Sequence, residues 1–133
     1  MGPRVAAVGL SHAEAVRLPD AARLRVEERK VTGYLLSLAH PRGRSKAIFF
    51  MACGFQPEHW TTLQQALLQH GGAYPAVRAG ESRHGVLYTV EGELGTPSGR
   101  APLVRTVWIA EAASAEVRLV SAYPIRRRRA ERT

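Results

Sequence analysis

Apolar residues in this chain change their spacing once, near Tyr74, and that change sets the fold class. Before it they recur at helical intervals. Val31, Tyr34, Leu35 and Leu38 stand at i, i+3, i+4 and i+7, which predicts a helix over residues 27–38. Gly33 inside it implies close packing or a need for tertiary support. Ala47, Phe50 and Met51 give one face of a second helix, 46–53, with Ser45 as its N-cap and Gly54 as its stop. Pro57 opens a third, 57–70, with Trp60, Leu63, Leu67 and His70 as its stripe and Gly71-Gly72 at its end. Beyond Tyr74 the residues turn β-branched and aromatic, predicting strands at 85–90, 103–109 and 117–123 and a weaker edge strand within 74–83. Thr96-Pro97-Ser98-Gly99 is a turn signal between the first two. Short links favour antiparallel neighbours. The expected fold is α+β: about three N-terminal helices packed on one face of a 3–4-stranded antiparallel sheet.

Length and composition set the frame around that core. A chain of 133 residues is long enough to close one hydrophobic core. Residues 1–17 lack bulky apolar periodicity and read as a mobile extension, the single domain spans 18–125 from the anchor Leu18-Pro19, and 126–133 is an Arg-rich tail. With one cysteine, Cys53, no intrachain disulfide forms. Its place on an apolar helix face reads as a packed core thiol, and a reducing, cytoplasmic setting fits. No apolar run approaches the roughly 20 residues of a membrane span, and the N-terminus has no signal-peptide core.

Charge supplies the first functional expectation. The net charge is +8, from 19 Lys and Arg against 11 Asp and Glu. The excess is clustered: residues 23–46 hold seven basic and two acidic groups, and 126–133 hold five Arg and one Glu. Two such clusters around a near-neutral body attract a polyanion, most simply nucleic acid. The plain alternative is a solvated basic surface.

The densest polar segment contains Lys30, Thr32, Tyr34, His40, Arg42, Arg44 and Lys46. Lys30 and Tyr34 are one helical turn apart. His40-Pro41-Arg42-Gly43-Arg44 must form a tight basic loop, because Pro41 removes a donor and Gly43 permits positive φ. This is a phosphate-recognition pattern.

A second constellation lies in the strands: Arg105, Thr106, Arg118, Ser121 and Tyr123. Alternation separates Arg105 from Thr106, and groups Ser121 and Tyr123 with Val117 and Leu119. Arg, Lys, His, Tyr and Thr together are the set a metal-free ribonuclease uses. One group deprotonates the ribose 2′-hydroxyl, one protonates the leaving oxygen, and cations stabilise the phosphorane. His12, His40, His59, His70 and His84 fall at no metal-ligand spacing, and no glycine-rich phosphate loop is present, so no metal and no cofactor are expected.

Several motifs carry a resemblance. They are Leu18-Pro19, Lys30 with Tyr34-Leu35-Leu36, His40-Pro41-Arg42-Gly43, Lys46-Ala47, Gly54-Phe55 and Trp60. Thr106-Val107-Trp108 and Leu119-Val120-Ser121-Ala122-Tyr123-Pro124 complete the set. Over residues 18–124 the chain resembles a family of small bacterial domains of unassigned function. That family is similar in layout to ribonuclease toxins of the barnase–EndoU–colicin–RelE class, an analogy at the level of fold. The resemblance implies a metal-independent endoribonuclease, the toxin of a toxin–antitoxin or related conflict system, neutralised by a small acidic antitoxin or immunity protein. Catalytic residues vary widely in that class. Those in the matching motifs are His40, Lys46, Thr106 and Tyr123, with Lys30 for phosphate; Arg42, Arg44, Arg105 and Arg118 are further phosphate candidates on their charge alone. The alternative is a non-catalytic nucleic-acid-binding or protein-interaction module.

Overall fold

The computed structural model describes residues 15, 16, 18, 23–111 and 114–126. The Arg tail beyond Arg126 and most of the expected N-terminal extension lie outside these. Six strands form one sheet: β1 (Ala15–Val16), β2 (Leu24–Arg25), β3 (Ala76–Ser82), β4 (Gly85–Glu93), β5 (Leu103–Ala110) and β6 (Val117–Pro124). Their order is β1-β3-β4-β5-β6-β2. The four long strands are the expected antiparallel meander, the weak strand at 74–83 among them.

The sheet is wider than expected and mixed. β1 adds to β3 antiparallel, whereas β2 adds to β6 in parallel, Leu24 opposite Val117 and Arg25 opposite Arg118. A parallel neighbour requires a long crossover, here supplied by the helices and the meander. Two-residue strands show no alternation, so neither edge was legible as a strand. Leu18 does serve as an anchor, buried in the core.

Three helical segments cover one face of the sheet. α1 (Glu28–Lys30) runs on as a π-helical turn, Val31–Leu35, closed by Leu36 N–H donating to Val31 O at 2.8 Å. That wide closure ends the segment earlier than the stripe predicts. It buries Leu35 and Leu36 together and leaves Leu38 46% exposed. Around Gly33 there is open space, so close packing is not its reason for being there.

α2 (Arg44–Ala52) has Gly43, not Ser45, at its N-cap. Gly43 has an ordinary negative φ of −92°, and it is glycine for want of room: a Cβ would stand 2.1 Å from Tyr34 O. Gly54 ends the helix region at φ +101°, as expected. α3 (Trp60–Ala73), entered through a 3₁₀ turn at Pro57–His59, continues through Gly71-Gly72. Gly71 lies inside the helix because a Cβ there would meet the Trp108 ring at 2.5 Å.

The core gathers Val31, Leu35, Phe50, Phe55, Leu63 and Leu67 from the helical half against Val90, Val104, Trp108, Leu119 and Ala122 from the sheet. One irregularity in β6 matters for everything that follows. Leu119 lies opposite Trp108, but Ser121 lies opposite Val107, with a bulge between them. The extra residue reverses the alternation. Ser121 and Tyr123 therefore leave the face of Val117 and Leu119 and join Arg105 on the outer face, away from the core.

Candidate nucleic-acid interface

The bulge sets up a row across three strands. Glu91 on β4 is opposite Arg105 on β5, and Arg105 is opposite Tyr123 on β6. Arg105 Nε donates to Glu91 Oε2 at 2.6 Å, its Nη2 pairs with the same oxygen, and its Nη1 donates to Tyr123 Oη at 3.4 Å. These contacts, the tyrosine hydrogen bond foremost and the glutamate second, push the guanidinium pKa above its ordinary value, so Arg105 is a fixed cation.

The helical half brings its basic residues to the same end of β6. Tyr34 is the tie: its hydroxyl shares a 3.0 Å hydrogen bond with Ser121 Oγ. Lys30 Nζ lies 5.2 Å from the Tyr34 ring centroid, as one helical turn predicts. Lys46, in the first turn of α2, lies 5.4 Å from the Tyr34 ring and 5.9 Å from the Tyr123 ring. It thus bridges the helical and sheet contributions while donating to Arg42 O at 3.2 Å. Cation–π contacts at exposed positions are worth about 0.5–1 kcal/mol each. They hold the ammonium groups in place and are weak enough to be exchanged for a phosphate.

His40 stacks edge-on against Tyr34, with ring centroids 5.0 Å apart. Its Nδ1 accepts the backbone N–H groups of Arg42 and Gly43 at 3.0 and 3.1 Å, so the ring hydrogen of the neutral form sits on Nε2. The imidazole folds the loop and presents an N–H edge. Arg42 and Arg44 are exposed beside it, and Arg44 Nη1 donates to Leu38 O at 3.4 Å.

Lys30, His40, Lys46, Arg105 and Tyr123 therefore form one contiguous patch. The structure does not bring Thr106 or Arg118 to it. Thr106 is fully buried on the inner face. Trp108 Nε1 donates to its hydroxyl at 2.8 Å, and that hydroxyl donates to His70 Nδ1 at 3.1 Å. His70 Nε2 in turn donates to Gly92 O and Val104 O. Burial, the largest influence, pushes the His70 pKa below its ordinary value and keeps the ring neutral. Arg118 lies at the opposite end of β6, ion-paired with Glu111.

Glu91 and the Tyr34–Ser121 tie escape a reading of the sequence. Glu91 becomes visible only once the β4–β5 register is known, and Ser121 only once the bulge is. Among the described residues no three His, Cys, Asp or Glu side chains group as a metal-ligand set, and no helix is long and apolar enough to cross a membrane.

No curated protein and no solved structure matches the chain. A family model does, described as "Domain of unknown function (DUF6883)", over residues 17–126. That span takes in both halves of the patch and nearly the whole range of the resemblance drawn from the motifs. The chain belongs to the DUF6883 domain family.

Proposed function

We propose that the outer patch binds RNA and cleaves it without a metal ion, as the toxin of a bacterial toxin–antitoxin or related conflict system. The observation that carries the reading is the gathering of Lys30, Lys46 and Arg105, from two helices and a strand, around the rings of Tyr34 and Tyr123. Three cations beside two tyrosines suit a phosphodiester with its ribose and bases. Lys46 and Arg105 neutralise the charge that builds on the phosphorane. Lys30 holds a neighbouring phosphate, and the Nε2–H edge of His40 donates to a phosphate oxygen. The 2′-hydroxyl attacks, leaving a 2′,3′-cyclic phosphate and a 5′-hydroxyl. The toxin reading rests on the resemblance drawn from the motifs, and an acidic antitoxin would compete for the same cations.

The test is single-stranded RNA incubated with the purified protein in EDTA. Cleavage that falls on Lys46→Ala supports the reading; RNA left intact at high protein concentration sinks it. Expression toxicity in a bacterial host, relieved by Lys46→Ala, is the cellular counterpart.

A second reading, a non-catalytic nucleic-acid-binding module, is favoured by one contact. The Nδ1 lone pair of His40, the residue expected to act as general base or acid, is taken by the loop backbone. Binding that weakens linearly in log salt, with no cleavage product, distinguishes it.

A further inference from the structure

A ribonuclease at this patch requires a group to take the proton from the 2′-hydroxyl, and His40 is not placed to be that group. We propose that Glu91 is the proton acceptor; the proposal rests on the ribonuclease reading above.

The case is made by the chemistry of the neighbours. Lys30, Lys46 and Arg105 are cations without a lone pair to offer. The neutral His40 ring carries its hydrogen on Nε2 and uses Nδ1 in the loop. Tyr34 Oη is engaged with Ser121, and Tyr123 Oη takes the Arg105 N–H. Among the described residues, Glu91 is the carboxylate paired with Arg105 in this cluster. Both of its contacts with Arg105 fall on Oε2. Oε1 has no hydrogen-bond partner among the described residues. The side chain is 46% exposed, so a substrate hydroxyl has access to it.

The ion pair gives the carboxylate its orientation. It also places the acceptor directly beside a guanidinium that can hold the phosphate undergoing attack. Glu91 sits at one end of the row Glu91–Arg105–Tyr123, and Lys46 sits over the other end. Acceptor and donor thus stand toward the two ends of the row, with Arg105 between them.

The 2′-hydroxyl proton passes to Glu91 Oε1 as the 2′-oxygen bonds to phosphorus. The bond from phosphorus to the 5′-oxygen breaks, and that oxygen takes a proton from Lys46 Nζ. Proton exchange with water then restores both side chains.

The experiment pairs two variants, Glu91→Gln and Glu91→Asp, with two probes. The cleavable probe is a single-stranded oligoribonucleotide in EDTA; the other is the same oligomer with 2′-deoxyribose throughout, which binds but has no nucleophile. Glu91→Gln is expected to cut at least ~100-fold more slowly, the low end of what a general base contributes. It is expected to bind the deoxy probe within about 3-fold of wild type, because the phosphate contacts remain. Glu91→Asp, which keeps the carboxylate, is expected to cut faster than Glu91→Gln.

Cleavage by Glu91→Gln at close to the wild-type rate overturns the assignment and leaves the ribonuclease reading intact. So does a loss of deoxy-probe binding equal to the loss of cleavage, since Glu91 would then only position Arg105. Glu91→Asp no faster than Glu91→Gln also overturns it. Wild-type protein that binds both probes and cuts neither sinks the ribonuclease reading, and the Glu91 proposal with it.

Discussion

Arg105 and Thr106 are neighbours in the chain and belong to different environments. Thr106 faces the core, in a closed circuit with His70 and Trp108. Among the described residues no buried side-chain polar atom there or elsewhere lacks a partner. Arg105 faces outward, in an open row with Glu91 and Tyr123 that solvent reaches. Similar polar chemistry therefore does two jobs. On the inner face, where Thr106 and His70 are buried, each hydrogen bond lacks a ready substitute, and breaking one leaves a buried group unpaired. On the outer face each contact competes with water and can be exchanged for a ligand. Stability should reside in the first set and binding in the second.

The strongest way to break that contrast is Thr106→Val. The substitution keeps the shape and removes the hydroxyl, leaving Trp108 Nε1–H and His70 Nδ1 unpartnered. Each such buried group costs about 1–3 kcal/mol, so a loss of roughly 2–4 kcal/mol is expected in urea denaturation. RNA binding by the folded protein should not change. An effect on binding as large as the effect on stability would mean the two faces are coupled.

A pH titration tests the same contrast without a mutation. The folded-state pKa of His70 is lowered by burial. Above about 6.5, the ordinary histidine value, both folded and unfolded chains hold the ring neutral and it adds no pH dependence. As pH falls below that, the unfolded chain takes up a proton that the native one refuses. Stability then declines, with a slope approaching 1.4 kcal/mol per pH unit for one proton, on the order set by linkage, until the native pKa is reached. His70→Gln should remove this contribution and His40→Gln should retain it, as read from unfolding midpoints across pH.

How far the sequence foretold this division can be argued from particular residues. The one change of period at Tyr74 correctly separated helices from meander, and alternation correctly placed Arg105 and Thr106 on opposite faces. It could not say which face was inner, because that depends on partners far away in the chain. The bulge after Leu119 is less visible still. Read straight through, Val117 to Tyr123 alternates without a break, and Tyr123 falls on the same face as Val117 and Leu119. Only the pairing with β5 reveals the extra residue that carries Tyr123 outward. The basic loop was legible through Pro41 and Gly43, but the reason for Gly43 was not: the carbonyl of Tyr34 fills the place of its side chain.

Tyr34 lies on the boundary between the two sets and sharpens the comparison. Tyr34→Phe keeps the ring that Lys30 and Lys46 rest on and removes the hydrogen bond to Ser121. The bond is half-buried, so the expected loss is about 0.5–1.5 kcal/mol, intermediate between the two faces. If the tie also fixes where the lysines stand, RNA affinity should fall by more than Ser121→Ala alone explains through stability. If affinity is unmoved, the ring by itself positions the cations.

The smallest effect on stability is expected at Lys46, and there the outer face meets its most direct test. Its contacts are two cation–π interactions at the long end of their range and one surface hydrogen bond to Arg42 O, so Lys46→Gln should change the unfolding free energy by about 0.5–1 kcal/mol. Its place in binding is different in kind. If Lys46 neutralises one phosphate of single-stranded RNA, the plot of log affinity against log salt should become shallower by about 0.7 on substitution. Arg118→Gln carries the same formal charge change at the far end of β6, where Glu111 already holds the guanidinium. It should leave the slope alone. Equal changes for both variants would show that RNA responds to net charge alone, and the bulge, the Tyr34 tie and the row across the strands would then have no part in choosing where it binds.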